Sequence, residues 1–461
     1  MRLRGFLTLL VAVSAAAALL AQSVPDLGER SRQFLVDLIR LDTSSPPGNE
    51  TRVAEYLKRT AAENGIESEL LGDDPARLNF VARLKGSGTA RPLMLMAHSD
   101  VVPADRSQWT ADPFGAEIRD GEIYGRGTQD TKGLLAAELA VFLELKNRGL
   151  KLKRDVILLS EADEESGSAG IQWLLAHAPG SIDAEFALNE GGVLQELKSG
   201  VRLFAIQTTE KIPTRVVLKA RGSAGHGSLP RPDNAVMHLA RAITRLDAHQ
   251  PVRFNATTRR YVSELALLPD YAWVGPLLEP LENPALEAAA SAEIRARDPE
   301  LDAQLHTTIS PTMFTAGMKV NVIPNVAEAQ VDIRRLPNES RDEVVDRIRA
   351  LIADPAVEVA SAPGQEMPAT EPSAAGGPLY TSMENIFLAS HPRAKVVPFM
   401  LRGATDGAFL RQKGIAVYGI PLFVREGLDS RAHGNDERMS IANLAAGTEL
   451  LWRIVLAVAA E

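Results

Sequence analysis

The chain has 461 residues, of which 45% are hydrophobic and 24% charged, a composition that allows two or three globular domains. Its net charge is −9 and it carries no basic block, which argues against a nucleic-acid partner. It contains no cysteine, so disulfides, zinc–thiolate sites and cysteine nucleophiles are excluded. Any metal site must therefore use histidine and carboxylate side chains.

The first residues, 1–23, predict a secretory signal peptide. Arg2 and Arg4 precede an apolar run from Phe6 to Leu20, and small residues follow it. The run is short for a full membrane span. We expect a secreted or periplasmic protein with no stable membrane insertion after cleavage. If the segment is not cleaved, it becomes a membrane anchor.

Between residues 24 and 210 the sequence predicts strands that alternate with helices. The strands are predicted at 78–84, 92–100, 155–160 and 186–189, and the helices at 51–65, 132–149 and 168–178. This alternation predicts an α/β catalytic domain with a mostly parallel sheet flanked by helices. Ligands of such sheets bind beyond the carboxyl ends of the strands.

After residue 210 the pattern changes to that of a smaller α+β domain, predicted at 211–362. It combines strands at 212–222, 312–324, 327–337 and 356–361 with helices at 234–248 and 341–353. A long and loosely patterned segment fills 251–308. A linker rich in proline, glycine and alanine follows, and the α/β pattern resumes in 363–461. The smaller domain is therefore predicted to be an insertion.

Polar residues follow the predicted strands at several places. His98 and Asp100 are two residues apart at a strand end and point the same way, although such a pair is often an ordinary polar strand end. Asp130 lies just before a helix, where it is either a bridging carboxylate or a simple N-cap. Glu190 ends another apolar strand, and His433 lies late in the chain.

The acidic stretch "EADEE", 161–165, follows a buried strand. By itself a solvated loop before the next helix explains it best. At the edge where an α/β sheet builds its site, one carboxylate can bind a cation and its neighbour can act as a general base. With two histidines and several carboxylates at strand ends, the pattern suits a two-zinc site of nitrogen and oxygen ligands.

The order of the motifs "MAHSDVVP", "YGRGTQDTKG", "DEESGS", "NEGG" and "AHGNDERM" resembles one family across almost the whole chain. It is the zinc peptidase family of aminoacylase, acetylornithine deacetylase, succinyl-diaminopimelate desuccinylase and glutamate carboxypeptidase. The long insert and the "HGNDERMS" ending are most similar to the carboxypeptidase S and N-acyl amino acid hydrolase branch.

The resemblance implies roles for the residues of the catalytic domain. It implies two Zn²⁺ ions per subunit, with Co²⁺ or Mn²⁺ as substitutes, and Asp130 as the carboxylate that bridges them. His98 and Glu190 would bind one ion, while Glu165 and His433 would bind the other. Asp100 would support the His98 site, and Glu164 would be the general base. Many relatives have Asp where this chain has Asn189, so either Asn189 or Glu190 occupies the ligand position, and we favour Glu190.

The resemblance also implies that 211–362 is a lid and dimerisation domain, which makes a homodimer a possible state alongside a monomer. His226, in "GSAGHGSLP", matches a histidine that stabilises the oxyanion, in dimers from the partner subunit. The expected substrate-binding residues are Asn321, Arg334, Gly403 and Thr405.

The implied activity is hydrolysis of amide bonds in short peptides or N-acyl amino acids by a water that two zinc ions activate, with release of a free amino acid. One alternative is a deacylase of a specific acylated amino acid such as acetylornithine or succinyl-diaminopimelate. An alternative of a different class is a catalytically silent binding protein on the same fold.

Overall fold

The computed structural model describes residues 26–362, 367–425 and 431–461. The predicted signal peptide, 1–23, lies outside the described residues.

Internal contacts divide the chain into two compact units, which do not follow one another along the sequence. The first unit comprises the described residues up to Gln207 together with Ser373–Val397 and Phe409–Glu461. The second unit comprises the described residues of Thr208–Pro372 and Pro398–Ala408.

The helices and strands are numbered in chain order. The α-helices are α1 (Leu27–Ile39), α2 (Thr51–Glu63), α3 (Lys132–Asn147), α4 (Ala169–His177), α5 (Ala235–Arg245), α6 (Ala256–Leu265), α7 (Leu278–Glu282), α8 (Glu287–Arg297), α9 (Pro299–Asp302), α10 (Arg341–Ile352), α11 (Pro378–Ser390), α12 (Gly407–Gln412) and α13 (Ile441–Ala459). Short 3₁₀ helices span Arg106–Gln108, Pro179–Ser181 and Pro269–Leu277.

The strands are β1 (Ser68–Leu71), β2 (Asn79–Leu84), β3 (Leu93–His98), β4 (Glu117–Arg119), β5 (Glu122–Tyr124), β6 (Val156–Glu161), β7 (Phe186–Asn189), β8 (Val193–Glu196), β9 (Arg202–Glu210), β10 (Ile212–Arg221), β11 (Gly225–His226), β12 (Thr308–Ala316), β13 (Val322–Ile323), β14 (Val326–Arg335), β15 (Val357–Ser361), β16 (Lys395–Leu401), β17 (Ala416–Gly419) and β18 (Arg438–Ser440).

The main sheet has the strand order β1-β2-β6-β3-β7-β17-β9-β16, with β8 paired to β9. Its centre is parallel, because β6 pairs with β3, β3 with β7, and β7 with β17 in that sense. Antiparallel pairs, such as β1 with β2 and β2 with β6, extend it outward. Helices α3 and α4 form the crossovers between parallel strands, as this pairing requires. The predicted α/β class with flanking helices is therefore confirmed.

The core of the first unit is formed around the two central strands. Every residue of β3 and β6 is buried, and α3 is buried on all sides from Lys132 to Leu145. Helix α3 packs against β3, α1 and α13, which explains why it lacks a polar face. Each fully buried Leu or Phe side chain contributes about 1.5–3 kcal/mol.

Two buried ionisable side chains anchor α3 within this core. Lys132 Nζ donates hydrogen bonds to the carbonyl oxygens of Leu38 and Leu41, at 3.1 and 2.7 Å, which ties the start of α3 to the end of α1. Glu138 accepts a hydrogen bond from the backbone N–H of Met96 in β3 at 3.1 Å. The helix that follows Asp130 is thus fixed in place at both contacts.

The C-terminal helix α13 is long and apolar enough to cross a membrane by length and composition alone. However, it packs against α1, α3 and α11 in the first unit. Its side chains from Leu450 to Trp452 and from Ile454 to Leu456 are buried there. These contacts are those of a core helix.

The second unit contains an antiparallel sheet in the order β12-β14-β10-β15. Residues of β10 and β14 alternate between buried and exposed, so one face of this sheet is apolar. Helix α5 packs on that sheet and α10 packs on α5 and β15. These elements share one hydrophobic core, which includes Leu218, Leu239 and Ile348.

The segment predicted as loosely patterned, 251–308, consists largely of short helices, α6 to α9. Asn255 and Thr258 form a reciprocal capping box at the start of α6. Asp298 caps α9 through the backbone N–H of Leu301. Because each helix is only one to three turns long, its periodicity extends over too few residues to be evident in the sequence.

The sequence predicted an insertion at 211–362, whereas the second unit extends over Thr208–Pro372 and also includes Pro398–Ala408. The segment Pro398–Ala408 lies within 363–461, which the sequence predicts to be part of the catalytic domain. Contacts within the unit account for the difference. Lys211 donates its backbone N–H to Leu401 at 2.9 Å, and the rings of Tyr261 and Phe399 pack edge to face.

Candidate metal centre and active site

Three parallel strands deliver their carboxyl ends to one edge of the main sheet. Strand β3 ends at His98, β6 ends at Glu161, and β7 ends at Asn189. His98 and Glu161 are direct neighbours in the register of the sheet. The acidic loop after β6 and Glu190 after β7 therefore start from the same edge as His98.

The first donor group consists of His98, Asp130 and Glu190, whose ligand atoms all lie within 4.8 Å of one another. His98 Nε2 is 3.1 Å from Asp130 Oδ1 and 3.6 Å from Glu190 Oε1. His98 is buried, whereas the two carboxylates are partly accessible. Asn189, the alternative ligand in the sequence, is 1% exposed at the end of β7.

The second donor group consists of Asp130, Glu165 and His433, again within 4.8 Å. His433 Nε2 is 3.0 Å from Glu165 Oε1 and 3.2 Å from Asp130 Oδ2. Asp130 thus belongs to both groups, with one carboxylate oxygen beside each histidine. This is the arrangement of a carboxylate that bridges two cations.

The protonation of His98 fits a metal ligand. Its Nδ1 lies 2.9 Å from the backbone carbonyl oxygen of Asp100, which can only accept a hydrogen bond. Nδ1 therefore carries the proton in the neutral ring, and Nε2 presents a lone pair to the carboxylates. Imidazole nitrogens and carboxylate oxygens are the ligands that zinc, cobalt and manganese accept without thiolates. The residues present thus fit two divalent ions.

In the absence of cations, protons compensate the negative charge of the cluster. Burial lowers the pKa of His98, but the charge of Glu190 and hydrogen bonds to Asp100 and Asp130 outweigh it and raise the pKa well above its ordinary value. Burial raises the pKa of Asp130, yet hydrogen bonds from His433 and His98 hold it well below its usual range. Metal binding must therefore release protons from the histidines.

Asp100 organises the segment that carries the predicted base and its neighbouring ligand. Its buried carboxylate accepts hydrogen bonds from the backbone N–H groups of Glu164 and Glu165, both at 3.1 Å. Its Oδ1 also lies 3.5 Å from His98 Nδ1. Asp100 therefore lies beside His98 and also sets the backbone of the acidic loop.

Asp163 braces the same loop, a role that the sequence left open. It adopts a positive φ of 68°, and its carbonyl oxygen accepts hydrogen bonds from Gly167 and Ser168. Its carboxylate forms an ion pair of 2.7 Å with Arg77, which also pairs with the buried Glu50. Arg77 was not identified from the sequence because its partners lie 27 and 86 positions away, and no local motif marks it.

The remaining predicted site residues belong to the second unit and are described within it. His226 is exposed, and its Nδ1 accepts a hydrogen bond from the backbone N–H of Ser228 at 3.2 Å. Arg334 donates to Asp332 at 2.9 Å, and the carbonyl oxygen of Asn321 accepts a hydrogen bond from Gly227 at 2.8 Å.

Two further predicted substrate-binding residues of the second unit, Gly403 and Thr405, lie after β16. Thr405 is 1% exposed, and its hydroxyl donates to Glu210 at 2.8 Å. Its oxygen also accepts a hydrogen bond from the backbone N–H of Gly407 at 3.2 Å. The hydroxyl of Thr405 is thus engaged in holding this loop.

Removal of the His433 side chain should change stability in a pH-dependent way in metal-free protein. Hydrogen bonds to Asp130 and Glu165 raise the pKa of His433 from 6.5 to about 10. A raised pKa gives stabilisation that is complete below pH 6.5 and is lost as pH rises through about 10. His433→Ala should therefore lower the free energy of unfolding more near pH 6 than near pH 10.

Urea unfolding of chelator-treated protein at the two pH values measures this difference. His177→Ala, at the end of α4 where the ring stacks on Trp173, is the control and should show no such difference. An equal loss at both pH values for His433→Ala would contradict the ion-pair geometry.

Comparison with known proteins identifies the family of this chain. The family model for Peptidase family M20/M25/M40 matches residues 94–457. N-fatty-acyl-amino acid synthase/hydrolase PM20D1 of Homo sapiens is 28% identical over 432 residues, which cover 89% of this chain and 84% of the relative. Probable carboxypeptidase S-like 2 of Dictyostelium discoideum is 28% identical, with 87% and 78% covered.

Solved structures show the same fold at low sequence identity. The M20 family metallo-carboxypeptidase Sso-CP2 from Sulfolobus solfataricus superimposes with a TM-score of 0.70 at 21% identity, covering 92% of this chain and 98% of that structure. Human carnosine dipeptidase 1 gives a TM-score of 0.68 at 16% identity, with 94% and 96% covered. The protein therefore belongs to peptidase family M20/M25/M40 and is an enzyme of the peptidase and amide-hydrolase type.

Proposed function

We propose that the protein hydrolyses amide bonds in short peptides or N-acyl amino acids at a centre of two zinc ions. The observation that carries this proposal is the pair of donor groups that share Asp130, next to Glu164. The substrate class follows the relatives, which include N-fatty-acyl-amino acid synthase/hydrolases and a probable carboxypeptidase S-like protein.

In this proposal His98 and Glu190 hold one ion, Glu165 and His433 hold the other, and Asp130 bridges them. Two bound divalent ions would polarise the scissile carbonyl and lower the pKa of a water molecule toward about 7. Zinc suits the mixed imidazole and carboxylate set, and Co²⁺ or Mn²⁺ can replace it.

Glu164 is the proposed general base. It precedes the ligand Glu165, and both backbone N–H groups are held by the same Asp100 carboxylate. Glu164 would take a proton from the attacking water and deliver it to the leaving amine nitrogen. These two hydrogen bonds fix the backbone from which the Glu164 side chain extends.

His226 is the proposed oxyanion donor. Its Nδ1 accepts the N–H of Ser228, so the neutral ring carries its proton on Nε2. A neutral imidazole of this tautomer can donate a hydrogen bond to the oxygen of a tetrahedral intermediate. Arg334, which is half-buried, supplies a guanidinium suited to a substrate carboxylate. We propose that Asn321 and Gly403 lie beside the same substrate, while Thr405 holds the loop that carries Gly403.

Replacement of Glu164 by Gln tests the base directly. Glu164→Gln should retain two equivalents of metal while kcat falls by about 10²–10⁴, because only the proton transfer is lost. The measurements are metal content by mass spectrometry and turnover of dipeptides, N-acyl amino acids, acetylornithine and succinyl-diaminopimelate. The last two substrates test the specific deacylase alternative.

Glu196→Gln, at an exposed position of β8, is the matched control and should keep wild-type turnover. Retained turnover in Glu164→Gln would contradict its assignment as the base. Wild-type protein that binds metal and hydrolyses none of these substrates would favour the silent binding protein.

We also propose that the protein forms a homodimer through the second unit. Strand β12 lies at an edge of its sheet, so one side of its backbone is open to pairing. Apolar side chains on β12, the following turn and β13 are exposed: Met313, Phe314, Met318, Val320 and Val322. A patch of this kind marks an interaction surface.

If His226 serves the other subunit of the dimer, subunit mixing should restore activity. In an equimolar mixture of Glu164→Gln and His226→Ala subunits, roughly a quarter of the sites regain both groups. A mixture of Glu164→Gln and His433→Ala subunits is the control. Each centre takes both of these residues from its own subunit, so every centre in the mixture keeps one defect and no site is restored. Activity of the first mixture no higher than that of the control would refute action across the dimer.

For localisation we propose export, with removal of 1–23. This proposal rests on the basic start and apolar run of the sequence. The intact mass of protein recovered from the periplasm or medium tests it. A mass that retains the first 23 residues in a membrane fraction would instead support an anchor.

A further inference from the structure

The carboxylate of Glu437 is fully buried and receives four hydrogen-bond donors. Its Oε2 accepts from Arg126 Nη1 at 2.6 Å and from the backbone N–H of Gly127 at 3.0 Å. Its Oε1 accepts from the backbone N–H groups of Gln129 at 2.7 Å and Asp130 at 3.2 Å. Each oxygen therefore holds two donors.

These contacts span the segment that delivers the shared Asp130 to the two donor groups. The backbone carbonyl of Glu437 also accepts the N–H of Gly125 at 2.9 Å. One residue thus binds the backbone of 125–130 at four positions. Gly127 has a φ of 93°, and a Cβ there would lie 2.8 Å from Val101, so this tight path admits only glycine at that point.

Arg126 is the ion-pair partner of the buried Glu437 carboxylate. Its guanidinium is 2% exposed and lies over the ring of Trp109, with 5.3 Å between the guanidinium carbon and the ring centroid. A buried carboxylate with an ion-pair partner and three N–H donors is satisfied, whereas loss of the carboxylate would leave those donors without an acceptor.

Glu437 is four residues from His433, so one short segment carries both a proposed ligand and this contact. Asp436, between them, adopts a φ of 53° and accepts the backbone N–H of Thr110 at 2.7 Å. The segment that carries His433 is therefore tied to Thr110 through Asp436 and to the backbone of 125–130 through Glu437. No local motif around Asp130 indicates this connection, since the two residues are 307 positions apart.

We propose that Glu437 is a positioning residue for the metal centre, which holds the backbone of 125–130 so that the two oxygens of Asp130 face His98 and His433. This inference rests on the proposed two-metal function and assigns a role to a residue outside both donor groups. Glu437 acts through Asp130 and touches neither metal nor substrate.

Substitution of Glu437 by Gln tests the proposal, because an amide keeps one oxygen and directs an NH₂ group at two N–H donors. We expect the apparent dissociation constant for Zn²⁺ to rise about 10–100-fold, as is typical when a residue that orients a ligand is lost. Competition with a chromogenic chelator measures it. In metal-free protein, amide hydrogen exchange should accelerate in 125–130 and stay unchanged in 161–168.

Glu122→Gln is the matched control, since it removes a half-buried carboxylate that pairs with the neighbouring Arg438 at 2.7 Å without contacting 125–130. It should leave zinc affinity and exchange unchanged. Glu437→Asp, which keeps the charge beside Arg126, provides a second variant if Glu437→Gln does not fold, and it should show the same two effects to a smaller degree. Wild-type zinc affinity and exchange protection in either folded Glu437 variant would overturn the proposal, whereas failure of wild-type protein to bind zinc would instead count against the proposed function.

Discussion

The carboxylate of Asp130 is the constraint on which the site depends. One of its oxygens lies 3.1 Å from His98 Nε2 and the other 3.2 Å from His433 Nε2, so a single side chain joins a strand of the central sheet to a loop near the C-terminus. Carboxylates gathered this closely repel one another unless positive charge compensates them. In the metal-free protein the protonated histidines supply that charge, and divalent cations would replace it.

The same kind of hydrogen bond, from a loop backbone N–H to a buried carboxylate, supports this cluster at three places. Asp100, Asp163 and Glu437 are buried carboxylates that accept backbone N–H groups of the loops around the site. A charged acceptor fixes a loop more strongly than a neutral one. The parallel centre of the sheet brings the strand ends to one edge, and these carboxylates then define the path of each loop beyond that edge.

The two units differ in the chemistry of the predicted site residues that they carry. The first unit holds the histidines and carboxylates that suit cations and proton transfer, and the central strands of its sheet are wholly buried. The second unit offers His226, with its proton on Nε2, and the guanidinium of Arg334. Its edge strand β12 carries exposed apolar side chains on which the proposed homodimer rests.

The alternation of strands and helices was enough to predict the α/β class, because hydrophobic periodicity is a local property of the sequence. The candidate ligands came from the resemblance of the motifs to a known family. The structure shows that Asp163 of "EADEE" has a positive φ and braces the loop. It also added 398–408 to the second unit and revealed the contacts of Arg77 and Glu437. These depend on partners distant along the chain, and a single sequence carries no signal for such pairings.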